Sequence, residues 1–428
     1  MRILYLSQLV PYPLDAGPKV RSYYVLRYLA EMGHEVTLLA LSRESDTAEN
    51  LDHLRRYCAA VYTLPMVRSR VRDIVHLGRS LLTGQPFLIA RDHVPAMHKR
   101  VRELMATGSF DAVHADQLWM APYALAARDA ALGKPPELVL DQHNAVYLIP
   151  GRMAESSGGA ARVMLRREAR LLKPFEQEIC TRFDHVVWVT DEDRAAVDLP
   201  VMAGKSSSHV IPICVEPRNA SRTINEGRRF RVTFLGGLHW PPNAEGIVWF
   251  ARDVWPLVHA AWPEAVLTII GKSPPAELFA RQVIGAANGR ETDGGSIIIT
   301  GYVPDITSYL DETSVFIVPL HAGGGMRVKI LDAWQAGLPV VSTTIGAEGI
   351  RYQDGDDLLL ADSAEAFADA VIQLVRDKSL AQIISAAGRR KVEDCYNWST
   401  IYQEWDAVYP PPAGRRLGNP GNLNERSG

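Results

Sequence analysis

The sequence predicts an α/β fold of two parallel-sheet domains facing across a cleft. Three observations lead there. The chain has 428 residues, more than one ordinary core accommodates. Apolar runs of strand length alternate with helical patterns in both halves, the arrangement of βαβ units. These runs also stop at glycine or at polar side chains, as strands do where an open parallel sheet binds its ligand.

Composition narrows the class. A hydrophobic content of 47% and a charged content of 22% are those of a soluble globular protein. The formal net charge of -3 gives no argument for nucleic acid as a partner. Cys58, Cys180, Cys214 and Cys395 are scattered, with no paired spacing and no metal-like spacing to histidine. They read as incidental thiols of a reducing compartment, and no metal site is expected. The opening MRILYLSQLVPYP is too short and too soon broken by proline for a signal peptide, and no 18-residue apolar run follows. The expected location is the cytoplasm, with the inner face of the membrane open as a site of contact.

The first domain is expected over residues 1–203. Arg2 to Ser7 is an apolar strand, a helix runs from about Val20 to Met32, and Glu35 to Leu41 is a second strand. A right-handed crossover makes these two strands parallel. The loop Asp15 to Lys19, with Gly17 at its centre, then sits at the carboxyl end of the first strand, where ligands of such sheets bind. It lacks the glycine spacing and the ribose-binding acid of a dinucleotide fingerprint. From Val67 to Leu104 the chain turns basic and amphipathic, and a second basic helix is expected from about Ala160 to Lys173. Solvated helix faces account for both stretches; the sharper reading is peripheral contact with an anionic membrane or a lipid-diphosphate acceptor. Two further strands end in Asp116 and in Asp141-Gln142-His143-Asn144, which makes Asp116 and His143 candidate catalytic groups. Val186 to Thr190 reads as the last strand of this half.

Polar stretches at Ala203 to Ser208 and Arg218 to Arg229 mark the linker. The second domain is expected over 204–395. Its strand Arg231 to Phe234 ends at Gly236-Gly237, a helix follows from Asn243 to Val258, Ala265 to Ile270 ends at Gly271, and Ile297 to Thr300 ends at Gly301. Glycine at each end clears space for a ligand. Ala364 to Arg376 is an amphipathic helix. Residues 396–409 form a closing helix expected to pack back toward the first domain, and 410–428 a disordered tail.

The stretch VFIVPLHAGGGMRVKILDAWQAGLPVVSTTIGAEG, Val315 to Gly349, carries the strongest signal. It reads as strand, glycine loop (Gly323, Gly324, Gly325), helix from about Met326 to Ala336, and strand. Glycines let backbone approach a ligand, and the helix start offers unpaired N–H groups. Arg327 and Lys329 stand in a first turn that dipole logic reserves for acids, which makes sense if an anion docks there. Asp332 can point back toward the same place. The pattern suits a ligand with a diphosphate and hydroxyls, such as a nucleotide.

FLGGLHWPPNAEGIVWF, TGYVPDI and HAGGGMRVKILDAWQAGLPVVSTTIGAEGI resemble the GT-B glycosyltransferases, Rossmann-like in both domains, and within them the retaining family 4 (glycosyl transferases group 1). The resemblance covers about residues 1 to 409. It implies a nucleotide-diphosphate sugar as co-substrate in the second domain, a glycan or lipid-linked acceptor in the first, no metal and no further cofactor. On that likeness Arg327 and Lys329 hold the diphosphate and Asp332 the ribose hydroxyls. The backbone from Gly323 to Met326 approaches the sugar, with Gly236, Gly237 and Gly271 lining the donor. Gly17 faces the phosphate, and His143 and Asp116 line the sugar or acceptor side. The chain departs from the family where two glutamates are usual, with Gly324 at the first position and Asp332 at the second. His239 and Trp240 also replace basic residues after the glycine pair.

The implied function is transfer of a sugar to an acceptor hydroxyl, with retention, in polysaccharide or glycoconjugate biosynthesis. The rival readings are a nucleotide-sugar-binding protein that has lost activity, given Gly324, and a GT-B sugar-nucleotide epimerase.

Overall fold

The computed structural model describes residues 1–199, 206–217, 229–279 and 296–412. The chain divides into two compact units. The first comprises Met1–Glu216, Gly324–Met326 and Asn397–Gly428, and the second Pro217–Gly323 and Arg327–Tyr396.

Among the described residues, the first unit holds seven parallel strands: β1 (Arg2–Ser7), β2 (Glu35–Ser42), β3 (Ala60–Pro65), β4 (Ala112–Asp116), β5 (Glu137–Gln142), β6 (His185–Trp188) and β7 (Ser207–Val210). Their order is β3-β2-β1-β4-β5-β6-β7. The order reverses direction between β1 and β4, and such a switch point is where an open sheet leaves room for a ligand beyond its carboxyl ends. Helices cover both faces, so the central strands are largely apolar up to their carboxyl ends: Leu4, Leu6, Val113, Leu138, Leu140 and Val186 are all fully buried. Register aligns the polar ends. Ser7 pairs with Asp116, and Asp116 with Asp141.

The second unit repeats the plan with β8 (Arg231–Leu235), β9 (Val266–Ile270), β10 (Ile297–Gly301), β11 (Val315–Val318), β12 (Val340–Ser342) and β13 (Leu359–Leu360), in the order β10-β9-β8-β11-β12-β13. Its switch point lies between β8 and β11.

Several expectations are corrected. Helix α1 (Gly17–Glu31) begins earlier than the pattern suggested, because Pro18 near its start has its φ already set and needs no N–H partner there. Gly17 is therefore the first residue of a helix rather than the middle of a loop. The first sheet does not end at β6. The expected boundary at 203 lies outside the described residues, and β7, beyond it, pairs with β6. Of the polar linker expected over Ala203 to Ser208 and Arg218 to Arg229, residues 203–205 and 218–228 lie outside the described residues, as does most of the tail, while Ser207 and Ser208 open β7.

The basic stretch after Val67 forms three helices, the first being α2 (Arg70–Thr83), followed by Phe87–Arg91 and Pro95–Thr107. The second basic helix, α3 (Gly159–Thr181), passes through Pro174. Losing one backbone bond there is offset by a buried stripe of Leu172, Glu176, Ile179 and Cys180 that continues beyond the proline. In the second unit α4 (Pro241–Trp249) leads through a π turn at Phe250–Val254 into Trp255–Ala261. Pro256 cannot donate to the carbonyl four residues back, and the ladder widens just before it. The closing segment is not one helix but a short α turn, Trp398–Ile401, and a 3₁₀ stretch, Tyr402–Ala407. Tyr402, Trp405 and Val408 are buried at a spacing of three, which suits the 3₁₀ period.

Candidate functional site

At the switch point of the first sheet, polar groups are buried together. Asp116 and Asp141 lie side by side on β4 and β5, and two carboxylates so placed need compensating charge. Arg21 of α1 supplies part of it. Its Nε donates to Asp141 Oδ2 at 2.9 Å and its Nη2 to Asp141 Oδ1 at 2.9 Å, with both side chains wholly buried. Burial disfavours each charge, but the pair outweighs it: Arg21 rises, and Asp141 falls well below the usual carboxylate range. Arg21 Nη1 also donates to the Pro212 carbonyl at 2.8 Å and to Tyr402 Oη at 3.3 Å.

His143 supplies the rest. Its Nε2 lies 2.8 Å from Asp116 Oδ1 and 3.8 Å from Asp141 Oδ2. Burial works against its charged form, but Asp116 prevails and raises the imidazole to about 9. His143 is thus an imidazolium near neutral pH, a hydrogen-bond donor rather than a base. The other oxygen of Asp116 accepts from the hydroxyls of Ser7 and Ser22, each at 2.7 Å. Behind them His114 stacks on Tyr5, with centroids 4.2 Å apart, and its Nδ1 lies 2.9 Å from Tyr409 Oη. Burial lowers His114 to about 4, so it is neutral. His114, Asp116 and Asp141 are close enough to share a cation, but these carboxylates are already engaged by Arg21, His143 and the two serines.

The structure therefore brings His143 and Asp116 into contact, as their strand-end positions suggested. Gly17 sits one turn before this cluster: the Ser22 hydroxyl also lies 2.8 Å from the carbonyl oxygen of Pro18. Arg21, Ser22, Asp141 and His114 were not singled out in the sequence. Arg21 meets Asp141 across 120 residues, Ser22 meets Asp116 across 94 and His114 meets Tyr409 across 295, and pairs so far apart leave no local trace there.

In the second unit the cations also find a built setting. Helix α5 (Val328–Gln335) begins behind Arg327, which occupies its N-cap position. Lys329 in the first turn donates to Asn243 Oδ1 of α4 at 2.8 Å, and its ammonium lies 4.7 Å from the centre of the Phe234 ring on β8. Asn243 in turn donates to the Gly237 carbonyl at 2.9 Å. A Cβ on Gly236 would stand 2.8 Å from Lys329 Nζ, so glycine there leaves room for the ammonium. Gly271 is required differently: a Cβ would lie 1.9 Å from the Gly236 carbonyl oxygen. Burial first, and then Arg327, lower Lys329 to about 7, with Asp332 acting in the opposite sense. Arg327 is itself buried and lies 3.4 Å from the Ile345 carbonyl and 4.0 Å from Glu348. Gly323 has φ 123° and packs against the Arg327 guanidinium, and Gly325 has φ 72°. Gly324, Gly325 and Met326 group with the first unit. Asp332 is half-buried, one turn beyond Lys329. Asn243 and Glu348 are further members of this site that the sequence reading did not single out. Each is a single polar residue whose partner sits on another element.

Both halves of the chain match families of known proteins. Residues 17–219 match the domain described as Glycosyltransferase Family 4, and residues 229–377 the domain described as Glycosyl transferases group 1. A protein of Klebsiella pneumoniae described as an "Uncharacterized 44.6 kDa protein in cps region" is 23% identical over 94% of this chain and 99% of its own length. A phosphatidyl-myo-inositol mannosyltransferase of Mycolicibacterium smegmatis is 23% identical over 96% of this chain and 94% of its own. Among solved structures, sucrose-phosphate synthase of Thermosynechococcus elongatus superposes with a TM-score of 0.66 at 15% identity, covering 96% of this chain and 98% of that one. Anabaena HepE in complex with UDP and glucose gives 0.65 at 13%, covering 96% and 99%.

Proposed function

From a chain that is a GT-B glycosyltransferase, with a family 4 domain followed by a group 1 domain, we propose a transferase that takes its sugar from a nucleotide diphosphate and retains the anomeric configuration. The observation that carries this reading is the pair Arg327, buried, and Lys329, half-buried, at the start of α5, beside backbone kept bare at Gly236. Breaking the bond between sugar and phosphate builds negative charge on the departing diphosphate. Fixed cations and helix N–H groups aimed at that charge are the main source of rate. Asp332 takes the ribose hydroxyls, and the backbone from Gly323 to Met326 meets the sugar.

His143 as an imidazolium donates a hydrogen bond to a sugar or acceptor oxygen, and Asp116 holds it charged. The acceptor hydroxyl gives its proton to the leaving phosphate on the same face, so no carboxylate base is assigned. No metal is assigned either, since the cations of the second unit serve the diphosphate. The acceptor belongs to polysaccharide or glycoconjugate synthesis. Support comes from relatives described as a protein in a cps region and as a phosphatidyl-myo-inositol mannosyltransferase, and the work is assigned to the inner face of the membrane. Among the described residues no helix is long and apolar enough to cross a membrane. The contact assigned is a peripheral one, through the basic helices.

The test is a panel of UDP-, GDP- and dTDP-sugars, with binding followed by calorimetry and turnover by release of nucleotide. Tight, saturable binding of one class with turnover supports the reading. Binding without turnover would leave a nucleotide-sugar-binding protein, and binding of none would remove the donor site.

A further inference from the structure

Asp116 and Asp141 are held by the ladder of the first sheet, but His143 lies beyond it. It opens the irregular turn that joins β5 to the helix Leu148–Ser156. A side chain on a loop keeps its place only if the backbone around it is fastened. Here a single carboxylate spans the turn. Glu176 of α3 is wholly buried. Its Oε1 accepts from Gln142 Nε2 at 2.9 Å and from the backbone N–H of Val146 at 3.0 Å, and its Oε2 accepts from that of Tyr147 at 3.3 Å. These donors stand on both sides of His143, one residue before it and three and four after it.

Neighbouring elements close the turn from other sides. Asp193, buried in the first turn of the helix Asp191–Val197, accepts from the Ala145 N–H at 2.8 Å. The Tyr147 hydroxyl donates to the Ala196 carbonyl at 2.8 Å, and the Lys173 ammonium lies 5.1 Å from the centre of the Tyr147 ring. Glu176 differs from these contacts in its cost. Burial pushes its carboxyl up to about 7 and Asp193 adds to the rise, while the three donors only partly oppose it. Apolar packing would hold a helix against a sheet with no such cost. A buried ionisable group shaped by specific partners beside a cluster of charges is instead the mark of a functional site.

We infer that Glu176 is a positioning residue for sugar transfer: its carboxylate, bound on both sides of the turn, sets where the His143 imidazole meets its substrate oxygen. Hydrogen bonds to a charged acceptor are stronger than those to a neutral one, so the turn is held stiffly. Displacing a contacting group by about 1 Å is enough to slow a reaction by about 100-fold. The inference rests on the transferase reading above and adds to it the residue that holds His143 in place.

The experiment compares Glu176→Gln, His143→Ala and the double variant of the full chain. Turnover is read as release of nucleotide from whichever of the UDP-, GDP- and dTDP-sugars binds, and affinity for the same donor by calorimetry. Glu176→Gln keeps the size of the side chain but replaces one accepting oxygen with an NH₂ group. It is expected to lower kcat about tenfold with donor affinity unchanged, and His143→Ala to lower it about 100-fold. Because Glu176 acts through His143, Glu176→Gln should cost nothing further in the His143→Ala background. A change that merely weakened the fold would lower the rate in both backgrounds alike. Losses that multiply in the double variant, or an unaltered kcat in either single variant, would overturn the inference. Should Glu176→Gln not fold, Gln142→Met removes one donor, leaves the carboxylate, and makes the same comparison with a smaller fall. Release from no donor by the unmutated chain would strike the transferase reading instead. Imidazole nitrogen shifts in histidine-labelled protein then judge the positioning alone. Glu176→Gln should move the His143 signal and leave that of His53 in place, and an unmoved His143 signal would overturn it.

Discussion

The ammonium of Lys329 is held 2.8 Å from Asn243 Oδ1 and against the face of the Phe234 ring, so a cation is fixed where β8 gives way to its glycines. A charge this well placed has little reorganising to do when an anion arrives, and that is the condition under which it accelerates a reaction. Lys329→Ala and Arg327→Ala are each expected to cut turnover by about 100- to 1000-fold. Steady-state rates with the donor found in the nucleotide panel check this. Near-normal rates in both variants would remove the diphosphate assignment.

Lys329 also makes donor affinity depend on pH. Burial lowers its pKa to about 7, so in the free protein the charge is lost as pH rises through that value. A diphosphate favours the charged form, so binding is expected to weaken from neutral to alkaline pH and to take up a proton where Lys329 starts neutral. Calorimetry in buffers of different ionisation enthalpy measures the proton. Lys329→Met should abolish the uptake, and its persistence in that variant would assign the proton elsewhere.

His143 acts on stability in the same range. Its folded pKa, about 9, is raised above the ordinary histidine value. Its contribution is therefore complete below the unfolded value and is lost as pH rises through about 9. The melting temperature of the unmutated protein should fall across that interval, and His143→Gln should flatten the fall. An unchanged slope in the variant would mean that Asp116 does not hold an imidazolium.

The Arg21–Asp141 pair is wholly buried. Removing one partner strands the other charge, and Arg21→Met is expected to cost about 3–5 kcal/mol. Asp141→Asn added to Arg21→Met should recover part of that loss. A double-mutant cycle by chemical denaturation checks the coupling, and strictly additive effects would show that the two charges do not depend on each other.

Gly271→Ala tests the close approach at the donor end of β9. A methyl group there would meet the Gly236 carbonyl oxygen, pushing back the turn that adjoins Lys329. Nucleotide affinity should fall even where the protein still folds, as judged by its melting curve. Undiminished affinity would detach Gly236 from the site.

Much of this architecture was legible in the sequence, and for physical reasons. β1, β5 and β11 announce themselves by unbroken apolar runs because helices cover both faces of each sheet. Asp116 and His143 could be paired because both terminate strands of one sheet. The edge strand β7, with sequence Ser-Ser-His-Val, could not be read: half its surface faces outward, so nothing apolar marks it. In α2 the amphipathic pattern was visible but its direction was not, since periodicity says that a face exists and not which way it turns. Arg21 stayed hidden because its meaning depends on Asp141 and Tyr402, 120 and 381 residues away.

Tyr402 and Tyr409, from the last described part of the chain, close over Arg21 of α1 and His114 of the first sheet. The first unit is thus completed by residues that follow Arg21 by 381 positions and His114 by 295. Until those aromatics emerge, the paired charges at the heart of that sheet stay open to water. A nascent chain stopped short of them should carry an unfinished amino-terminal lobe, however long it is given.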